Sequence, residues 1–272
     1  MTTYSIFLFP VNPDGVAEKE LSSLGSYCSK SEGKSTLGVF ISFRLPEPLI
    51  FNVNVRELLA SIDDAEIDVQ RRKTAGWQLG LTHKEYFGRA TLDAALNYKR
   101  GTGMADALRA PEEVFDEGTS RMRILTADIG FNQPFHLGKQ AFAYDTRLHI
   151  QWNHTPLTPL DKLAIGGRYT VRGFDGEMSL SAERGWYWRN DFIWQYHPQH
   201  QMYLGLDTGH VSGWSTQFQL GQNLAGAALG WRGQLNAPGS LNYDLFVGRP
   251  LHKPEYFRTA DTTIGVNLNY SF

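Results

Sequence analysis

The chain has 272 residues, a net charge of −2 and a pI near 6.4, a balance that gives no basic footprint for nucleic acid. It is 42% hydrophobic and 13% aromatic with a mean hydropathy of −0.35, and no run approaches the roughly 18 consecutive apolar residues of a spanning helix. A spanning β-strand needs only about 9–11 residues, half of them apolar, so this composition excludes a helical membrane protein and leaves a barrel open.

The first ten residues, Met1 to Pro10, lack a basic segment and a small-residue cleavage site, and their apolar run is too short for a signal peptide. Tyr4 to Phe9 is a possible strand. Cys28 is the only cysteine, which excludes an internal disulfide and a thiolate metal cluster. Residues 1–35 stay unassigned.

From residue 36 onward, apolar and polar residues alternate with a period of two. Leu37, Val39, Ile41 and Phe43 share a face, as do Val53 and Val55, then Ala75, Trp77, Leu79 and Leu81 opposite Gly76, Gln78 and Gly80. Ala90, Leu92, Ala94, Leu96 and Tyr98 repeat the pattern, followed by Leu125, Ala127, Ile129 and Phe131. The clearest case is Phe142 to Trp152. Phe142, Tyr144, Leu148, Ile150 and Trp152 face one way, and Asp145, Arg147, His149 and Gln151 the other. Trp186, Trp188, Phe192, Trp194 and Tyr196 share a face broken only by Asn190. Met202, Leu204 and Leu206 follow, then Ala225, Ala227, Leu229 and Trp231, then Leu241, Tyr243, Leu245 and Val247. The chain closes on Ile264, Val266, Leu268, Tyr270 and Phe272 opposite Gly265, Asn267, Asn269 and Ser271.

This makes eleven strands, with the segment near Tyr4 as a possible twelfth. Short turns such as His197 to His200 and Asn236 to Gly239 alternate with long polar connections at Gly101 to Ser120, Thr155 to Gly185, Val211 to Gln222 and Arg249 to Ala260. Aromatics gather near strand ends. Short turns at one end and long loops at the other predict an all-β fold, a transmembrane antiparallel β-barrel with an apolar outside and a wet interior. The competing fold is a soluble sandwich or lipocalin-like barrel. It expects Lys, Glu and Thr on the polar faces, where this chain carries Gly, Ala and Asn.

The longest loop contains Asp161-Lys-Leu-Ala-Ile-Gly-Gly-Arg-Tyr-Thr-Val-Arg-Gly-Phe-Asp-Gly176. Within it, Val171-Arg172-Gly173-Phe174 resembles the V-R-G-[FY] motif of the sixth extracellular loop in two-partner-secretion outer-membrane transporters, the haemolysin secretion/activation family. Arg184 to Asp191, Tyr98 to Gly103, Ala110 to Glu113 and the terminal Phe272 resemble the family in the same order, so the likeness runs from about Asp64 to Phe272.

The resemblance implies a haemolysin activator-type barrel domain over 36–272 with the sixth loop at about 155–185. Family members carry a plug helix, two periplasmic POTRA domains and sixteen strands. The chain is therefore expected to hold the C-terminal 11–12 strands, as a truncated form without POTRA domains. The resemblance further implies outer-membrane localisation and ATP-independent export of a large haemolysin, adhesin or contact-dependent toxin. It also implies contact with outer-membrane lipid, and recognition by the barrel-assembly machinery through the C-terminal strand, with Tyr270 and Phe272 as its signal.

In the family the loop arginine pairs with an inward aspartate of an F-x-D-x-G-like motif. The matching segment is Leu204 to Gly209, so Arg172 is expected to meet Asp207 as a lock in the lumen. The period of two independently sends Asp207 inward, opposite Met202, Leu204 and Leu206.

Asp145, Arg147 and His149 read as lumen-lining residues, and His197 and His200 as solvated turn residues. Glu112, Glu113, Asp116 and Glu117 lack the spacing of a dedicated calcium loop. No metal ligand set, cofactor motif or catalytic constellation emerges, so the chain is not expected to be an enzyme; the alternatives to a transporter are a barrel enzyme, which would need a Ser/His/Asp set at the extracellular edge, and an inactive remnant.

Overall fold

The computed structural model describes residues 4–8, 21–31, 34–44, 49–62, 65–66, 72–237 and 239–271. Side chains enter the account at 49–55 and from 73 onward, with 236–238 excepted. Phe272 and residues 1–3, 9–20 and 32–33 of the unassigned segment lie outside these.

The strands are β1 (Tyr4–Leu8), β2 (Leu21–Ser31), β3 (Lys34–Arg44), β4 (Leu49–Ile62), β5 (Ala65–Glu66), β6 (Arg72–Phe87), β7 (Ala90–Thr102) and β8 (Arg123–Leu137). They continue as β9 (Gln140–Asn153), β10 (Leu163–Ile165), β11 (Leu180–Ala182), β12 (Arg184–His197), β13 (His200–Ser212), β14 (Asn223–Ala237), β15 (Gly239–His252) and β16 (Thr263–Ser271). The main sheet runs in sequence order, β1-β2-β3-β4-β6-β7-β8-β9-β12-β13-β14-β15-β16, with β5 paired to β4 and with β10-β11 as a separate ribbon. Every pairing described between these strands is antiparallel. Next-neighbour order follows from the tight turns, because a two-residue link can only return the chain beside itself. Gly88 and Gly138 make two of these turns at φ +62°.

Alternation passes over the short β5, β10 and β11 and, on the main sheet path, β2. The β2 sequence, Leu-Ser-Ser-Leu-Gly-Ser-Tyr-Cys-Ser-Lys-Ser, is too serine-rich to show an apolar face.

The chain separates into two compact units. In the first (1–83, 95–126 and 153–161), β4 pairs with β6 through Asn52↔Gln78 and Val53↔Trp77. The Trp77 ring lies 6.2 Å from Phe51 and 5.6 Å from Tyr98. Met122, Ile124 and Leu157 form a small core there.

The second unit (84–94, 127–152 and 162–272) holds the candidate site. Its sheet faces differ sharply. On β13, Leu204 and Leu206 are 46% and 41% exposed, while Tyr203 and Asp207 are 2% and 3% exposed. The outward set continues with Trp188, Phe192, Trp194, Leu229, Leu245 and Val247, all large, apolar and uncovered. A sheet that turns its bulkiest apolar side chains outward is built for hydrocarbon on that face. Its main buried core lies on the opposite face: Leu163, Ile165, Val171, Phe174, Leu180, Ala182, Val211, Leu224 and Phe257. Most of these belong to the long connection between β9 and β12.

Candidate functional site: a loop seated on a glycine-lined wall

The β9–β12 connection folds as an ordered element because it carries its own apolar residues. The β10-β11 ribbon pairs Leu163↔Ala182 and Ile165↔Leu180, and all four of these residues are buried. Lys162 Nζ lies 3.4 Å from Glu183 Oε1 at its foot, and Ser215 N donates to the other Glu183 oxygen at 3.3 Å. Burial pushes the Glu183 pKa up. Hydrogen bonds from its own backbone and from Ser215, with the Lys162 charge, outweigh this and leave it below the usual carboxylate value.

Beyond the ribbon the chain turns at Gly173, where φ is +100° and an added Cβ would stand 2.5 Å from the Arg249 carbonyl oxygen. Only glycine meets both demands. This turn places Val171 and Phe174 in the core, with the Phe174 ring edge-on to Phe257 at 5.8 Å.

Arg172 projects onto the sheet. Its Nε and Nη2 donate to Asp207 Oδ2 and Oδ1, each at 2.7 Å, and its backbone N–H donates to Oδ2 at 2.9 Å. Nη2 also donates to Asp191 Oδ1 at 2.5 Å. The guanidinium carbon sits 5.5 Å from the Tyr203 ring centre, and Arg189 Nε lies 3.9 Å from Asp207 Oδ2. The buried Arg172 and Asp207 and the half-buried Arg189 and Asp191 therefore balance within one cluster, which is the condition under which buried charge is tolerated. Burial works against the charged Arg172. Hydrogen bonding and charge from Asp207, then Asp191, more than offset it, so its pKa stands above the ordinary arginine value.

The wall beneath the tip is made of missing side chains. A Cβ at Gly226 would overlap the Arg172 carbonyl oxygen, one at Gly205 would lie 2.5 Å from Arg172 Nη2, and one at Gly248 would lie 2.9 Å from the Gly173 backbone. Gly209, two residues past Asp207, leaves room for Val171 at 3.0 Å. The loop backbone can lie against the strands because these four positions carry nothing.

The structure thus brings Val171, Arg172, Gly173, Phe174 and Asp207 together. Tyr270 stands apart, 53% exposed on β16 opposite Leu241. Asp145, Arg147 and His149 lie on the polar face. Arg147 Nε meets Asp145 Oδ1 at 3.2 Å, and His149 Nδ1 meets Asp128 Oδ1 at 2.6 Å. Sequence reasoning missed Asp191, the glycine seat and Phe257. Asp191 was reachable from parity, since it shares a face with Ile193 and Arg189 opposite the exposed Phe192 and Trp194. Among the described residues no cluster of three or more His, Cys, Asp or Glu is placed to hold a metal ion.

An antiparallel sheet with a greasy exterior, two-residue turns at one end and a long loop docked on its inner face defines a transmembrane β-barrel. Residues 48–233 match the family described as haemolysin secretion/activation protein ShlB/FhaC/HecB, and the chain belongs to it. It is 36% identical over 213 residues to the outer membrane transporter CdiB-2 of Burkholderia pseudomallei strain 1026b, a match covering 78% of this chain and 36% of the relative. Among solved structures, CdiB from Acinetobacter baumannii superposes with a TM-score of 0.70 at 29% identity, over 92% of this chain and 43% of that one. CdiB from Escherichia coli shares the fold with a TM-score of 0.71 at 20% identity, over 90% and 48%. The chain spans little more than a third of the curated relative, and under half of either solved chain. Its relatives are named outer membrane transporters, and it is a protein of that membrane.

Proposed function

We propose that the protein forms the pore of a two-partner-secretion transporter. It passes a large secreted haemolysin, adhesin or contact-dependent toxin across the outer membrane without ATP. The reading rests on the family and on one observation: the tip of a long loop is held inside by Arg172, only 3% exposed and forked onto Asp207. Val171, Arg172, Gly173, Phe174 and Asp207 act as a lumen lock that sets the secretion-competent state. Val171 and Phe174 anchor the tip, Gly173 turns it, and the ion pair fixes its depth. Tyr270 on the last strand, together with the terminal Phe272 of the sequence, serves as the signal read by the barrel-assembly machinery.

A two-ended fork between full charges fixes orientation as well as distance, and so favours one loop position over nearby ones. The test is secretion of a co-expressed exoprotein of the two-partner-secretion class by cells that carry the full-length gene. Arg172→Ala and Asp207→Ala are expected to lower secretion at least tenfold while the barrel still inserts. Normal secretion by Arg172→Ala overturns the lock, and no secretion by the unaltered protein overturns the transport reading.

A further inference from the structure

The inner face of β13 to β16 changes character in steps of two residues away from the loop tip. Below the glycine seat comes a row of Tyr203, Gly230, Phe246 and Gly265, cross-paired in register. The next row is Gln201, Arg232, Asp244 and Asn267. The last, at the short-turn ends, pairs Gln234, Asn242 and Asn269, with Gln234 N donating to the Gln199 carbonyl at 3.0 Å. The residues of these last two rows line one polar depression. Its two charges are already engaged: Arg232 Nε donates to Gln201 Oε1 at 3.0 Å, and Asp244 Oδ1 accepts from Tyr203 Oη at 2.9 Å. The Asn242, Asn267 and Asn269 side chains make no hydrogen bond among the described residues.

Resting on the transport reading above, we propose that these amide rows are a contact site for the backbone of an extended polypeptide entering from the short-turn side. A carboxamide offers an acceptor and two donors, the complement of a peptide group. Being neutral, it neither repels acidic segments nor traps basic ones. The two rows stand two strand residues apart, about 6.6 Å. An extended chain lying along the wall presents equivalent N–H and C=O groups at that same repeat. Each row therefore meets the same backbone groups whatever the side chains are. Each bond replaces one to water, so the chain is held weakly enough to move on.

The experiment places the full-length gene product in a planar bilayer and adds an unstructured peptide of about thirty Gly, Ser and Thr residues to the short-turn side. The readout is the dwell time of current blockades. Asn242→Leu with Asn267→Leu is expected to shorten dwell at least threefold, and Asn242→Gln with Asn267→Gln to preserve it. Asn242→Thr with Asn267→Thr, which suits a strand and keeps one hydroxyl, is the variant to use if the leucine pair does not insert, and it is expected to fall between. Equal dwell in the unaltered and leucine proteins, or in the unaltered and threonine proteins, overturns the site. Export of the exoprotein is scored in parallel. If the unaltered protein exports nothing, the transport reading falls, and the dwell comparison still decides the rows.

Discussion

Two long polar loops emerge from the same kind of sequence and are held by opposite chemistry. Residues 162–183 are anchored by burial. Val171 and Phe174 are 0% and 2% exposed, and a forked ion pair sits beneath them. Apart from Met122 at its end, the segment 103–122 keeps its large apolar side chains outside, with Val114 at 82% and Phe115 at 74% exposure. That loop is instead gathered around one carboxylate. Glu113 Oε1 accepts from Thr119 Oγ1 at 2.7 Å, from Ser120 N at 3.0 Å and from Ala110 N at 3.3 Å. A loop that must occupy one defined position is served by burial and a buried charge pair. A loop that need only keep its shape is served by a half-wet hydrogen-bond hub.

The largest expected break in this contrast is Arg172→Ala. It leaves Asp207 and Asp191 buried without their main cation, and removing one partner of a buried pair costs about 3–5 kcal/mol. Hydrogen exchange of 163–182 should accelerate strongly, with 103–122 unchanged. Arg172→Lys should recover part of the loss, because a lysine cannot make the two-ended fork. The next effect is Gly226→Ala, whose new methyl meets the Arg172 carbonyl. Overpacking of this kind costs about 1–3 kcal/mol. Protection of 171–174 should fall while the Arg172–Asp207 charges remain in place, which separates seat from lock. Unchanged exchange in Gly226→Ala would show that the loop does not need the glycine wall.

The long strands from β3 onward were legible because a wall with lipid on one side and water on the other writes a period of two into each of them, whereas the short β5, β10 and β11 are too brief to show a period. Alternation also placed Asp207 correctly, with Leu204 and Leu206 as its outward neighbours. It passed over β2, where serine stands at too many positions for either face to be apolar. Arg172 was legible only through resemblance, since a loop arginine has no periodicity to betray its direction. The seat was illegible for a different reason. Gly205, Gly226 and Gly248 lie on three strands and become one surface only after pairing, so no local window contains them. Phe257 was hidden likewise, one of two adjacent aromatics in a polar connection, with a partner, Phe174, more than eighty residues away.

Smaller effects sharpen the other side of the comparison. Burial alone would raise the Glu113 pKa, but the hydrogen bonds from Thr119, Ser120 and Ala110 outweigh it and hold the value below the ordinary carboxylate figure of 4.5. A carboxyl whose pKa is lower folded than unfolded stabilises the fold fully above its unfolded value, and that contribution is lost as pH falls through the folded one. Amide exchange over 103–122, corrected for its intrinsic pH dependence, should therefore be constant from neutral pH down to about 5 and rise below about 4. Glu113→Gln should give the loosened loop at every pH, at a local cost of about 1–2 kcal/mol. Phe115→Ser is expected to do least, within about 0.5 kcal/mol, because the ring it removes covers almost nothing. The same exchange at Phe174, which is fully packed against Phe257, should undock the tip. If Phe115→Ser loosened 103–122 as much as Glu113→Gln does, that loop would depend on its exposed aromatic after all, and the two loops would differ in degree rather than in kind.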